Sequence, residues 1–143
     1  MLLDTKIWKD GKWWIGEIGL LDGSTQGHTK KELLEMLGDY VKNMIEDSEA
    51  TVSVITVKDE VFVEVRPSGA ILSAILLRQR MKAGLTIREV AKKLGYTNHN
   101  NYAAYESGKV QPSFEKFQEL LRGILSDDKD SHDSVALRLV VGG

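Results

Sequence analysis

The sequence predicts two folded parts in series. An α+β domain occupies residues 1–66 and an all-α domain residues 67–126, followed by an acidic linker and one strand in residues 127–143. Three observations carry this. Before Arg66, short apolar stretches alternate with period two around a single helical stretch, whereas after it apolar residues recur every three or four positions. The charge divides at the same place: residues 1–66 carry 8 Lys/Arg against 13 Asp/Glu, residues 67–126 carry 9 against 4, and residues 127–143 carry 2 against 4. Between the halves lies Arg66-Pro67-Ser68-Gly69. Proline cannot extend a central strand, and glycine frees the backbone.

In the front part, Leu2 to Lys9 reads as a first strand. Asp10-Gly11 is a two-residue hairpin signal, and Lys12 to Leu20 returns. Along this strand Trp13 and Ile15 point to one face, and Trp14, Gly16 and Ile18 to the other. An aromatic on each face predicts cover on both. Leu21-Asp22-Gly23 is a loop, and Ser24 to His28 is a short third strand at the sheet edge. Thr29 with Glu32 three residues later has the form of a capping box. It opens a helix running to about Asp47, whose stripe Leu33, Leu37, Tyr40 and Met44 lies on a sheet. Thr51 to Val57 and Val61 to Val65 alternate as strands across the turn Lys58-Asp59-Glu60. The order is β-β-β-α-β, with Val61 to Val65 returning last.

The second part opens with a helix over Ile71 to Lys82. Its apolar residues cover more than half the circumference, which predicts contact with the front domain, with a second chain, or burial on two sides within this one. Arg78, Arg80 and Lys82 sit toward its end, where cations suit the helix dipole. Next comes Leu85 to Pro112, LTIREVAKKLGYTNHNNYAAYESGKVQP. Thr86 and Glu89 form a capping box, Val90, Ala91 and Leu94 recur at helical spacing, and Gly95 ends the helix. The polar run Thr97 to Asn101 leads to Tyr102 and Tyr105, three apart on one helix face and read as core. Gly108 stops that helix. Pro112-Ser113 starts another, with Ser113 as N-cap and an apolar stripe of Phe114, Phe117, Leu120, Leu121 and Ile124. Ser126 to Ser134 is a turn-rich linker. Ser134 to Val141 alternates as a strand, which must find a partner for its backbone, either in a second copy of the chain or within its own.

The Leu85–Pro112 run resembles the XRE (phage-repressor-like) helix-turn-helix family. The resemblance rests on Leu85-Thr86, Val90-Ala91, Leu94-Gly95 and the Glu106-x-Gly108-Lys109-x-x-Pro112-Ser113 signature. The segment between Gly95 and Glu106 is one residue longer than the usual pattern, which leaves the register of base-reading residues open. The front part resembles the HicB-type antitoxin domain, a partial RNase H-like fold. This rests on Trp13-Trp14-Ile15-Gly16-Glu17-Ile18, Leu20-Leu21-Asp22-Gly23, Thr25-Gln26-Gly27-x-Thr29 and the helix Lys31 to Leu37.

In such a family the second helix of the motif enters the DNA major groove. The expected base-reading residues are Thr97, Asn98, His99, Asn100 and Asn101, with Thr86 and Arg88 at the start of the preceding helix. Asn pairs with adenine edges and Arg with guanine. Lys92, Lys93 and Lys109 are expected at phosphates, which position without specifying. Glu106 reads as a structural acceptor tying helix ends.

The resemblance implies a type II antitoxin that masks the active site of a small basic HicA-like mRNA interferase and represses its own operon as a homodimer or higher even oligomer on operator DNA. The expected toxin contacts are Leu20, Leu21, Asp22, Ser24, Thr25 and Gln26. The alternative is a free-standing regulator of the XRE family whose front domain senses a ligand or another protein. A nuclease is the third reading, and it is disfavoured. Nuclease chemistry needs convergent carboxylates around divalent metal, and Asp10 and Asp22 belong to turns. His28, His99 and His132 are scattered. No catalytic residue, metal or cofactor is expected. Zero cysteines, no apolar run long enough to span a membrane and no basic-then-apolar leader predict a cytoplasmic protein without membrane contact.

Overall fold

The computed structural model describes residues 1–126. These form two compact units that divide between Ile71 and Leu72. The linker and the strand expected over Ser134 to Val141 lie outside the described residues.

The first unit is an antiparallel sheet with one helix. Its elements are β1 (Leu2–Asp10), β2 (Trp13–Ile18), β3 (Gly23–Gly27), α1 (Lys30–Lys42), β4 (Thr51–Val57) and β5 (Glu60–Arg66). The strand order is β3-β2-β1-β5-β4, and every ladder is antiparallel. β1 is central: Leu2 to Thr5 pair with β5, and Lys6 to Asp10 pair with β2. Because Asp10 pairs with Trp13, the hairpin loop is Gly11-Lys12, one residue later than Asp10-Gly11. A short 3₁₀ turn over Gly19–Leu21 links β2 to β3. The third strand is at the edge as expected, and it runs one residue earlier than Ser24 to His28.

At the start of α1 the Thr29 hydroxyl accepts from the Glu32 N–H at 3.0 Å, which is one of the two bonds of the expected capping box. It ends at Lys42, earlier than Asp47. The N–H groups of Met44 and Ile45 reach back three residues instead of four, to Val41 and Lys42. Asp47 then accepts from the Glu49 N–H through its own carboxylate, an alternative to helical bonding open to Asp side chains. Leu33, Leu37 and Val41 are fully buried. They lie on the sheet face that carries Leu3, Thr5, Gly16, Ile18, Val61, Val63 and Val65, all of them buried. Gly27 makes the approach possible: a Cβ there would sit 2.7 Å from the backbone nitrogen of Leu33, so any side chain would force α1 away from β3.

The expectation of cover on both faces of β2 is corrected. α1 covers one face only. On the other, Trp8 and Trp13 are 40% and 37% exposed, and no residue of that face is buried. One short helix has a single apolar stripe and cannot serve both sides.

The helices that follow are α2 (Gly69–Ala83), α3 (Ile87–Lys93), α4 (His99–Glu106) and α5 (Phe114–Leu125). α2 starts two residues before Ile71, with the Ala70 N–H bonded to the Pro67 carbonyl. The core of the second unit comprises Leu72, Ile75, Leu76, Val90, Ala91, Tyr102, Phe117, Leu120, Leu121 and Ile124. Ser113 caps α5 by accepting from the Lys116 N–H. Leu77 and Met81, one turn apart on α2, are exposed. Among the described residues no helix is long and apolar enough to cross a membrane.

Candidate nucleic-acid interface

α3, the following turn and α4 are shaped by local chemistry first. Thr86 closes a reciprocal capping box: its Oγ1 accepts from the Glu89 N–H at 3.1 Å, and the Glu89 carboxylate accepts from the Thr86 N–H at 3.1 Å. At the other end Tyr96 N–H reaches the Ala91 carbonyl and Gly95 N–H the Lys92 carbonyl, at 2.9 and 3.0 Å. That double closure requires a left-handed residue at Gly95, whose φ is +78°. The chain turns through Leu94 to Asn98 and enters α4. Asn98 is its N-cap, its Oδ1 accepting from the Asn100 N–H at 2.9 Å.

The orientation of α4 follows from what it buries. Tyr102 and Glu106, four residues apart, face inward. Glu106 meets Arg80 of α2: Arg80 Nε donates to its two carboxylate oxygens at 3.0 and 2.8 Å, and Nη2 donates at 2.7 Å. Nη1 donates to the Leu85 carbonyl at 2.8 Å. The guanidinium therefore ties α2, the α2–α3 turn and α4 together. The hydrogen bonds that Arg80 donates to Glu106 hold its pKa above the ordinary value. Burial, and then the Glu106 charge, push the Tyr102 phenol well above the usual tyrosine range. Its hydroxyl is buried without a hydrogen-bond partner, beside a carboxylate already taken by Arg80.

This fixes which expected residues present side chains outward. Asn100 and Asn101 are exposed and lie on the side of α4 away from Tyr102. Thr97 is exposed in the turn, and His99 is half-buried on the flank. Asn98 is exposed, but its carbonyl oxygen is engaged in the cap, as is the Thr86 hydroxyl in its own. On α3, Arg88 and Lys92 are exposed on the side away from the buried Val90 and Ala91. Lys109 is exposed just past the end of α4. Lys93 donates to the Ser126 carbonyl at the end of α5, so it also braces the unit.

The outward surface of α3 and α4 therefore combines two amides at the start of a helix with three cations beside it. Amides suit base edges and cations suit phosphates. Arg80 was not recognised from sequence as the partner of Glu106. The available signal was Glu106 itself, one turn from Tyr102 on an inward face, where a carboxylate needs a cation.

Elsewhere, the residues expected to meet a toxin separate into two groups. Leu20 and Leu21 are buried in the first unit, so they are core rather than contact surface. Asp22, Ser24 and Gln26 are exposed, and Thr25 is half-buried on the α1 side.

No curated protein matches the chain. A helix-turn-helix family model matches residues 76–124, from the middle of α2 almost to the end of α5. Residues 76–124 are therefore similar to the helix-turn-helix family of the XRE type, and the match supports a DNA-binding transcription regulator.

Proposed function

We propose that the chain is a HicB-type antitoxin that represses its own operon. The observation that carries this reading is the division of labour along the chain. A basic helix-turn-helix unit with outward amides and cations follows a sheet unit in which 13 Asp/Glu outnumber 8 Lys/Arg. The α+β unit is read as a partial RNase H-like domain, on the strength of its three-strand meander followed by a Thr-capped helix on one face. In this role it binds a small basic HicA-like mRNA interferase and covers its active site, without catalysing a reaction itself. Acidic surface favours encounter with a basic partner. Leu77 and Met81 of α2 supply exposed apolar surface for self-association. In a dimer the two recognition helices would meet half-sites about 34 Å apart on one DNA face. The protein acts in the cytoplasm, on DNA and on a cytoplasmic toxin.

The test is co-expression with the neighbouring reading frame, followed by the native mass of the purified complex. The expected result is a stable hetero-complex with a small cationic product, and rescue of growth when that product is expressed. Purification of this chain alone, with no rescue, would overturn the reading.

A further inference from the structure

The geometry points to the helix-free face of the first unit's sheet as the surface that receives a basic protein partner. This rests on the antitoxin reading and adds to it where the partner sits. Antiparallel registers place Trp8, Ile15 and Gln26 in one cross-strand row, and Asp4, Phe62 and Ile55 in another. Trp13 lies in the row beside the first, opposite Asp10, and stacks on His28 with ring centroids 4.2 Å apart. None of these residues is buried, although two are tryptophans. Exposed aromatic clusters of this kind mark contact surfaces.

Charge identifies the kind of occupant. Asp4, Asp10, Glu17, Glu60 and Glu64 share this face with only Lys6 and Arg66. Arg66 is already paired with Glu64 at 3.1 Å, and Lys6 stands directly opposite Glu17. An excess of carboxylate repels nucleic acid and anionic lipid, and it repels the same face of a second copy. Trp rings bordered by carboxylates suit Arg and Lys, through the ring face and through the acids together. The occupant is therefore a protein presenting cations around an apolar centre. The stack on His28 orients Trp13 before binding, which lowers the ordering cost. Ser24 and Gln26 line the margin of this same face, whereas Asp22 lies in the preceding loop.

The experiment titrates the full chain with the purified cationic product of the adjacent reading frame, by calorimetry at fixed salt. Three variants are compared with the unaltered protein: the double variant Trp8→Ala/Trp13→Ala, the exposed charge reversal Glu17→Lys, and Asp22→Asn. Melting curves and operator binding report that each variant is folded. The double variant is expected to lose about 30-fold in affinity or more, the mark of truncated aromatic anchors. Glu17→Lys is expected to weaken the affinity as well, by placing a like charge against the cationic partner. It keeps the test valid should the tryptophan variant fold poorly.

Affinity unchanged in folded Trp8→Ala/Trp13→Ala and Glu17→Lys overturns the proposal and leaves the antitoxin reading standing. So does a loss confined to Asp22→Asn, which would move the contact to the loop. Dissociation of a self-dimer by the tryptophan variant, with partner affinity intact, also overturns it, since a second copy would be the occupant. If the unaltered chain does not bind the product, the antitoxin reading falls and the proposal falls with it.

Discussion

Replacing Glu106 by Ala should destabilise the helical unit by about 3 kcal/mol, because it leaves a guanidinium largely enclosed without its carboxylate. The Arg80 and Glu106 side chains are 16% and 6% exposed, and three N–H···O contacts of 2.7–3.0 Å join them. Breaking a buried pair by removing one partner costs about 3–5 kcal/mol. The lower end applies here, since Arg80 keeps the Leu85 carbonyl at 2.8 Å and some contact with water. Glu106→Gln keeps one acceptor but turns an amide N–H toward guanidinium N–H groups, so about 2 kcal/mol is expected. Removing both charges, as Arg80→Met with Glu106→Leu, should cost less than Glu106→Ala alone. Urea unfolding followed at the helical circular-dichroism band measures this. With a slope of about 1–3 kcal/mol/M, the midpoint should move by about 1 M or more. Trp8, Trp13 and Trp14 all lie in the sheet unit, so their fluorescence serves as the internal reference. A loss under about 0.5 kcal/mol for Glu106→Ala would refute the claim that this pair holds α4 in place, since that is the size of an exposed pair.

The other predictions concern the outward surface and the buried phenol. Asn100→Ala or Asn101→Ala should weaken operator binding by about 1–3 kcal/mol per lost base contact with the melting temperature unchanged, whereas Asn98→Ala should lower stability by about 1 kcal/mol through loss of its cap; gel shifts beside thermal melts separate the two. Lys92→Ala should weaken binding to all sequences and reduce the slope of log affinity against log salt by about 1, measured by anisotropy over a salt series. Tyr102 has its pKa raised in the fold above the ordinary 10.0, so the protonated phenol contributes stability that is present below that value and lost as pH rises beyond it. Melts above about pH 10 should therefore show the unaltered protein losing more stability than Tyr102→Phe. At neutral pH that variant should be neutral or stabilised by about 1 kcal/mol, since it removes an unpartnered hydroxyl.

Much of this architecture is legible in local chemistry. Thr86 and Glu89, Gly95, and Ser113 each announce a helix end within a few residues, and the structure places each where its chemistry requires. Period-two alternation finds the strands. What local pattern does not reveal is which side of a strand is covered. Trp13 and Trp14 are neighbours with similar chemistry, and only the position of α1 decides that Trp13 faces outward. The Arg80–Glu106 pair is hidden for the same reason, since its members are 26 residues apart. Asn98 to Asn101 read as equivalent amide-rich residues until the inward turn of Tyr102 and Glu106 distinguishes the cap from the outward pair. Leu20 and Leu21, where the sequence reads as the end of a strand and the start of a loop, are drawn into the core by the 3₁₀ turn.

The most direct test of the central claim, that α3 and α4 address DNA while the acidic unit does not, is one binding titration. The full chain is titrated with duplex DNA from upstream of its own gene and with a scrambled duplex of equal length, at fixed physiological salt. The account predicts specific binding about 10³-fold or more tighter than to the scrambled duplex, reduced by Asn100→Ala and untouched by Glu17→Lys. Equal affinity for both duplexes, or a loss on Glu17→Lys with none on Asn100→Ala, would contradict it.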